Sequence, residues 1–311
     1  MKETVLITGA NGNLGKKFLL SKSGFKVCAL VRSKKAESDL INFITKNNIE
    51  GVEIVICDYL DLEEMRRLVK PCVYVLHLVG IIKEKGINNF DLVHKQTTRV
   101  LIDAIRGSNV KKICYISLLG SSETSKNACF SSRGIAEKLF LNSGIPSLLL
   151  QVPMVLGEDD YASYALKKNA LSKLNFTFRK SSLEQPIYAG DIIKAIEIDV
   201  TKCLKEESSV NGIKILAGPN SLTREQLVKK TAELLKVNVK VISLPIFLGY
   251  TLARIFEVFS SNSPISRAML GVLDHDDCID PLPGSKELGI ELTTLDKICL
   301  LYTSPSPRDR G

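Results

Sequence analysis

Residues 8–15 read TGANGNLG and directly follow the apolar run Val5-Leu6-Ile7. An apolar run, a glycine-rich turn and a helical pattern, in this order, are typical of the first strand, turn and helix of a nucleotide-binding βαβ unit. Gly9 permits the tight turn, Gly12 lets backbone N–H groups approach a phosphate, and Gly15 lets the helix pack closely on the sheet. The helix N-terminus adds the positive end of its dipole. This stretch therefore predicts a site for the pyrophosphate of a dinucleotide.

Short apolar runs alternate with helical patterns over the first half of the chain, as in right-handed βαβ units with a parallel sheet. The predicted strands are residues 4–8, 26–31, 53–57, 72–78, 112–117 and 147–152, and the predicted helices are residues 14–23, 35–47, 62–69, 90–107 and 132–143. After Pro153 the alternation weakens, with helices expected at 191–200 and 223–235 and strands at 213–217 and 237–243. The prediction is an α/β fold: a Rossmann-type doubly wound parallel sheet with a smaller C-terminal α/β lobe.

Chain length and composition limit the other classes of protein. The chain has 311 residues, 45% of them hydrophobic, which suffices for a large core. Its eight cysteines form no C-x-x-C pair, which indicates a reducing, cytoplasmic setting. The first predicted strand begins too close to Met1 for a signal peptide, and no apolar run reaches the ~18 residues of a membrane span. The net charge of +8 is scattered and aromatic residues are only 6%, so we expect no nucleic-acid partner.

The predicted domains are a dinucleotide-binding core at 1–155, a substrate or docking lobe at 156–301 interleaved with the core, and a tail at 302–311. Residues 245–259 are densely apolar, which fits one of two kinds of helix. The first lies on a partner surface or on a membrane, at its inner face, and the second packs over a substrate cleft. The tail, YTSPSPRDRG, resembles translated sequencing adapter, which would mean that the true C-terminus is missing. The alternative is a genuine Pro/Ser-rich disordered tail.

The spacing Gly-x-x-Gly-x-x-Gly, with Thr8 and Asn11, resembles the short-chain dehydrogenase/reductase superfamily in its extended or atypical branches. No acidic residue follows the second strand. Arg32 stands there instead, and its guanidinium can pair with a 2′-phosphate, so NADP(H) is preferred and NAD(H) is the alternative. An ordinary solvated arginine is the plainer interpretation. Together, the turn and the resemblance imply cofactor contacts at Thr8, Gly9, Asn11, Gly12, Asn13, Leu14, Gly15, Arg32, Asp58, Leu78, Val79, Gly80, Ser117, Arg133 and Pro153.

The catalytic positions implied by this resemblance are changed. In the superfamily a Tyr-x-x-x-Lys pair carries the reaction, with Tyr as general acid/base and Lys lowering its pKa. Here Cys129 stands at the Tyr position and Arg133 at the Lys position, while Ser117 is the candidate catalytic serine. Arginine keeps the charge but cannot transfer a proton. A neighbouring cation lowers a thiol pKa, so Cys129 is expected to be able to ionise beside Arg133. The three histidines show no metal-ligand spacing, and no metal is expected.

Three hypotheses of function remain open. Residues 77–81 (HLVGI) and 244–248 (LPIFL), with the kept turn and changed pair, resemble bacterial relatives of the NADPH-binding accessory subunit of respiratory complex I. This resemblance implies tightly held NADPH, weak or no turnover, and an association with a respiratory complex or a quinone-related substrate. The first alternative is an NAD(P)-dependent reductase or nucleotide-sugar epimerase/dehydratase that uses Cys129, Ser117 or an acid near Asp159. The second is a peripheral membrane complex-assembly factor that docks through residues 245–259.

Overall fold

The fold is described from a computed structural model for residues 2–22, 24–259 and 265–303, without the side chains of residues 258, 259 and 301–303. The strands are β1 (Thr4–Thr8), β2 (Lys26–Val31), β3 (Val52–Ile56), β4 (Cys72–His77), β5 (Lys112–Leu118), β6 (Ser147–Val152), β7 (Val155–Leu156), β8 (Leu174–Phe178), β9 (Leu183–Glu184), β10 (Ile187–Tyr188), β11 (Gly212–Ile215), β12 (Leu222–Thr223) and β13 (Lys240–Leu244).

Helices lie between the strands along the chain. They are α1 (Asn13–Ser21), α2 (Lys34–Lys46), α3 (Leu62–Val69), α4 (Thr97–Ile105), α5 (Ala128–Leu141), α6 (Tyr161–Leu171), α7 (Ala189–Leu204), α8 (Arg224–Leu234), α9 (Ile246–Phe259), α10 (Arg267–Leu273), α11 (Leu282–Leu288) and α12 (Leu295–Thr303). Within the described ranges, no helix is long and apolar enough to cross a membrane.

The chain divides into two compact units. The first comprises Met1–Gln151, Ile193–Lys214 and Glu287–Gly289; the second comprises Val152–Ile192, Ile215–Lys286 and the residues from Ile290 onward. We expected a boundary after residue 155, and the N-terminal segment of the first unit ends at Gln151. Of the expected tail, Tyr302 and Thr303 close α12, and residues 304–311 lie outside the described residues.

The first unit contains a seven-stranded sheet in the order β11-β6-β5-β4-β1-β2-β3. β1 pairs in parallel with β2 on one side and with β4 on the other. The strand order therefore reverses at β1, and in open α/β sheets ligands bind at the carboxyl ends of the strands at such a switch point. Four of the five residues of β1 are buried, without the alternation of a one-sided sheet, because helices cover both faces. The predicted Rossmann-type fold is confirmed.

A buried ion pair joins α7 to the sheet of the first unit. Lys112 Nζ, at the start of β5, donates to Asp199 Oδ1 at 2.6 Å, to Ser209 Oγ at 2.7 Å and to the Val210 carbonyl at 2.5 Å. Tyr74 donates to the other oxygen of Asp199 at 2.7 Å. All three ammonium donors are thus used, as a buried charge requires. This network lies at the amino ends of β4 and β5, away from the glycine turn.

The second unit is built from short strand pairs and helices. β8 pairs in parallel with β13, β7 with β10 in parallel, and β9 with β12 antiparallel. Its core is formed by side chains of α6, α8, α12 and the short strands: Leu156, Leu166, Leu227, Val228, Val241, Leu295 and Ile298.

Two predicted helices differ from the structure. The helix expected at 90–107 begins as a π-helix at Asp91–Gln96 before α4, and the hydroxyls of Thr97 and Thr98 bond back to carbonyls one turn earlier. α5 begins at Ala128, four residues before the predicted start, because the Asn127 side chain caps it. Asp159 lies in the turn that precedes α6, and the Asp160 side chain accepts from the Ala162 and Ser163 N–H groups and caps that helix.

Candidate functional site: the turn after β1

The turn between β1 and α1 is tightly packed at its glycines. Gly9 has φ +70°, and a Cβ there would lie 3.3 Å from the carbonyl carbon of Leu78. A Cβ on Gly15 would lie 2.5 Å from the Ala10 oxygen, so α1 packs directly on the strand end. Gly12 is the N-cap of α1 and makes no side-chain capping bond. Tight packing and the uncapped helix start are the features that a pyrophosphate site requires.

Tyr59 supports this turn through two hydrogen bonds, a role that the sequence patterns do not predict. Its hydroxyl accepts from the Gly9 N–H at 2.8 Å and donates to the Leu30 carbonyl at 2.8 Å, which links the turn to β2. Burial raises the pKa of Tyr59 to about 12, so the hydroxyl stays protonated. The neighbouring Asp58 is exposed, and its carboxylate accepts from the Leu60 N–H at 3.0 Å. The feature of the sequence that could have indicated this role is the tyrosine directly after the candidate Asp58.

Thr8 and His77 meet at the ends of the two strands that flank the switch point. Thr8 Oγ1 lies 2.7 Å from His77 Nδ1, and both residues are buried. The His77 ring stacks on Tyr115 at 5.6 Å, while its Nε2 is buried without a hydrogen-bond partner. Burial, helped by the charge of Arg133, lowers the pKa of His77 to about 3. His77 is therefore a neutral imidazole at neutral pH.

Arg133 crosses from α5 to the ends of β4 and β5. Its Nη1 donates to the Ile116 carbonyl at 3.0 Å, and a Cβ on Gly80 would lie only 2.4 Å from its Nη2. Gly80 thus leaves the space that the guanidinium occupies. Arg133 Nε and the Tyr115 hydroxyl are buried without hydrogen-bond partners. Buried polar atoms are almost always paired in folded proteins, so this group of atoms points to polar chemistry at the site.

The pKa of Cys129 differs from the expectation that its position beside Arg133 gives. The thiol is fully buried and donates to the Ile81 carbonyl at 3.6 Å. Burial raises the pKa of Cys129, and this effect outweighs the lowering by Arg133. The expectation that Arg133 makes this thiol ionise is therefore wrong, because desolvation penalises the thiolate more than one cation stabilises it.

Ser117 lies at the end of β5 but is fully buried. Its Oγ lies 3.3 Å from Ser121 Oγ and also bonds to the Glu137 carboxylate. Gln151 Nε2 lies 3.0 Å from both oxygens of that carboxylate. Burial raises the pKa of Glu137, and the bonds from Ser117 and Gln151 oppose that rise. In this geometry Ser117 belongs to a buried polar network.

His94 closes the loop after β4 against α5. The Ile81 N–H donates to His94 Nε2 at 3.0 Å, so the proton is on Nδ1, which donates to Ser132 Oγ at 2.8 Å. Ser132 in turn donates to the Cys129 carbonyl at 2.9 Å. Burial, and secondly Arg133, lower the pKa of His94 to about 2. Ile81 is thus held at both backbone groups, by His94 and by Cys129.

The remaining predicted site residues are dispersed. Arg32, after β2, donates from Nη1 to Asn88 Oδ1 at 2.9 Å. Pro153 and Asp159 belong to the second unit. Within the part of the chain that the structure describes, no group of three or more His, Cys, Asp or Glu side chains is arranged to hold a metal ion. The first unit alone therefore brings together the glycine turn, the ends of β4 and β5, and Arg133.

Comparison with known proteins identifies the family. Residues 1–247 match the NmrA-like family. The chain belongs to this family. It is an atypical branch of the short-chain dehydrogenase/reductase superfamily, and membership implies a site for NAD(P).

Relatives of this NmrA-like chain include a subunit of an NADH dehydrogenase. The mouse protein NADH dehydrogenase (ubiquinone) 1 alpha subcomplex subunit 9, mitochondrial, is 21% identical over 304 residues, covering 93% of this chain and 77% of that protein. A ceramide reductase of Caulobacter vibrioides is 26% identical over 164 residues, covering 52% of this chain and 49% of that protein. The crystal structure of a UDP-glucuronic acid 4-epimerase from Bacillus cereus in complex with NAD has a TM-score of 0.70 at 15% identity, covering 96% and 97% of the two chains, which shows the fold.

The two buried histidines of this NmrA-like chain give a pH prediction. His77 and His94 stay neutral when folded, whereas in the unfolded chain each takes up a proton below about pH 6.5. The unfolded state then binds more protons, so the free energy of unfolding falls as pH drops from 7 to 5, by about 2 kcal/mol per histidine at pH 5. Ring NMR signals of both should not titrate between pH 8 and 5.

His275 is the internal control for that titration. Its Nδ1 lies 2.9 Å from Asp277 Oδ1, and this carboxylate raises the pKa of His275. We expect its signal to titrate above the ordinary histidine range. Ordinary titration of all three histidines near pH 6.5 would contradict the buried neutral pair.

Proposed function

We propose that this chain binds NADP(H) tightly at the turn after β1 and holds it in a structural or regulatory role, with weak or no turnover. The observation that carries the proposal is an intact phosphate turn beside a changed catalytic pair. Gly12 places no side chain over the start of α1, while Arg133 and Cys129 stand where the superfamily has its Lys and Tyr.

The turn fits a dinucleotide by its packing. Side chains at Gly9 or Gly15 would meet backbone atoms at 3.3 Å and 2.5 Å respectively. A helix N-terminus without a side-chain cap offers backbone N–H groups and the positive end of the helix dipole to an anion. When bound, NADP(H) supplies hydride chemistry at its nicotinamide ring.

Arg32 supports the preference for NADP(H) over NAD(H). Leu30 pairs with Thr8, so Arg32 follows β2 directly beside the glycine turn. No carboxylate follows β2, where one would accept hydrogen bonds from the ribose of NAD. A guanidinium binds a phosphate through two parallel N–H donors, and one of the Arg32 nitrogens is already oriented by Asn88.

The residues at the three predicted catalytic positions are not ready proton donors. The Arg133 guanidinium stays protonated and is held on the Ile116 carbonyl. The Cys129 thiol is fully buried with a raised pKa, and the fully buried Ser117 is bonded to Ser121 and Glu137. These residues can orient and hold a cofactor, but none is placed to pass a proton to a carbonyl substrate.

One of the relatives suggests a role for the bound cofactor. The mouse protein is named as a subunit of an NADH dehydrogenase that uses ubiquinone. We propose that this chain likewise associates with a respiratory assembly or a quinone-related substrate. Bound cofactor would stabilise the first unit by mass action and so support docking.

The test of cofactor choice compares Arg32→Ala with wild type. Mass spectrometry of ligand released from natively purified protein should identify NADPH or NADP⁺. In calorimetry, Arg32→Ala should weaken NADPH binding by about tenfold or more, since it removes a charge-assisted bond to phosphate, and change NADH binding little.

Arg106→Ala is the matched control for that comparison. Arg106 is an exposed arginine of the same unit, paired with Asp103 at the end of α4, so its loss should leave both affinities unchanged. Equal loss of NADPH and NADH affinity in Arg32→Ala would contradict the assigned preference. A folded wild-type protein that binds neither dinucleotide would contradict the proposed function itself.

A second candidate function, peripheral membrane docking, rests on α9. This helix turns its small residues inward: Ala253 is fully buried, and a Cβ on Gly249 would lie 3.2 Å from the Phe178 ring. Its large apolar side chains face outward, with Phe247 63% exposed; the others are Leu248, Leu252, Ile255 and Phe256. The predicted Phe259 side chain lies outside the described residues.

Neighbouring groups favour a lipid surface for this face. Phe176 of β8, two residues before Phe178, is 57% exposed. Arg254 and Lys240 are exposed cations of α9 and β13, and the acidic Glu257 is neutralised by Arg267 at 2.7 Å. An exposed apolar face with cations beside it suits an anionic phospholipid interface.

Flotation with anionic phospholipid vesicles tests this candidate. Phe247→Asp plus Phe256→Asp should abolish co-flotation of the protein, because two charges would have to enter the apolar interface. The control is Leu20→Asp plus Ile41→Asp, which makes the same charge change at exposed apolar residues of the first unit. Equal flotation of the two double variants would exclude α9 as the docking face.

A further inference from the structure

One hydrogen bond spans the carboxyl end of β1. β1 lies between β2 and β4 in the sheet. Arg32 follows β2, and Asn88 lies in the segment after β4, so the bond from Arg32 Nη1 to Asn88 Oδ1 at 2.9 Å joins the two neighbours of β1. It does so at the end of the sheet where the glycine turn begins. The contact is therefore placed at the switch point of the fold.

Asn88 closes a turn that is complete without its side chain. The Lys85 N–H donates to the Asn88 carbonyl at 3.0 Å, and the Asn88 N–H donates to the Lys85 carbonyl at 3.1 Å. Gly86 supplies the positive φ of +57° that this turn needs. The carboxylate of Glu84 accepts from the Phe90 N–H at 2.8 Å. The side chain of Asn88 is thus not needed to form the turn and is used on Arg32 instead.

Cations concentrate around this contact. The segments after β2 and after β4 contribute five: Arg32, Lys34, Lys35, Lys83 and Lys85. Among the described ion pairs of residues 2–22, 24–259 and 265–303, none involves these five side chains. Two of them occupy the first turn of α2, where the helix dipole disfavours each by about 0.3–1 kcal/mol. This local excess of positive charge suits a bound dianion.

We propose that residues 85–88 form the second wall of a phosphate-monoester site, which takes the 2′-phosphate of the dinucleotide, and that Asn88 is the positioning residue for Arg32. The inference rests on the proposed function and names the residues that set its specificity. Arginine carries five N–H donors, and the one held by Asn88 fixes the plane of the guanidinium while others remain for the phosphate. A phosphate monoester carries about −1.5 to −2 charges near pH 7, which matches the local excess of cations.

The substitution Asn88→Asp is the sharpest test of whether residues 85–88 line the phosphate site. The backbone of the turn is unchanged, but the new carboxylate pairs with Arg32 and faces the phosphate. We expect NADPH to bind about tenfold or more weakly in calorimetry, because the new carboxylate competes with the phosphate for Arg32 and repels the phosphate. The affinity for NADH should change less than about twofold. The selectivity ratio, which a general loss of structure would not change, is the readout.

Asn89→Asp is the matched control. It makes the same charge change one residue further on, and an aspartate there keeps the cap that Asn89 Oδ1 gives to the Leu92 N–H at 2.8 Å. We expect this variant to retain the wild-type selectivity ratio. Equal effects of the two variants on the ratio, or equal loss of both cofactors in Asn88→Asp, would overturn the assignment of the wall. A wild-type protein that binds no dinucleotide would instead overturn the proposed function, and this inference with it.

Discussion

The close approach of backbone to backbone at the end of β1 is the constraint on which the rest of the site depends. Gly9 turns the chain beside the carbonyl of Leu78 with a φ of +70°, which strains any other residue, and Gly15 brings α1 so close to Ala10 that a Cβ has no room. Tyr59 fixes the N–H of Gly9 from β2's side, and Thr8 bonds to His77 on β4's side. The turn is thus held by contacts on the sides of both neighbours of β1.

The same scaffold separates binding from chemistry. Arg133 keeps a cation at the ends of β4 and β5, in the space that Gly80 leaves open. Burial favours the neutral forms of three groups around it, since it lowers the pKa of His77 and His94 and raises that of Cys129. A buried guanidinium can hold an oxygen-rich ligand but does not itself give up a proton. The proposed cofactor-holding role rests on this arrangement.

Local patterns predicted the fold well where one residue or one period decides the structure. β1, β2 and β6 match the predicted ranges, because buried parallel strands read as apolar runs bounded by turn residues. The glycines of the turn are recognisable because they directly follow such an apolar run. The pKa of Cys129 was predicted in the wrong direction, since charge can be read from neighbours in sequence while burial cannot. Tyr59, Asn88 and His94 were missed because each acts through a partner that is 13 to 56 residues away.

Hydrogen–deuterium exchange of the folded protein with and without NADPH tests most directly whether the turn after β1 holds the pyrophosphate. The account predicts slower exchange of backbone amides within residues 9–15 when NADPH is added, because phosphate oxygens accept hydrogen bonds from N–H groups at the start of α1. Saturating NADPH binding that leaves exchange in residues 9–15 unchanged, with protection confined to other segments, would contradict the account.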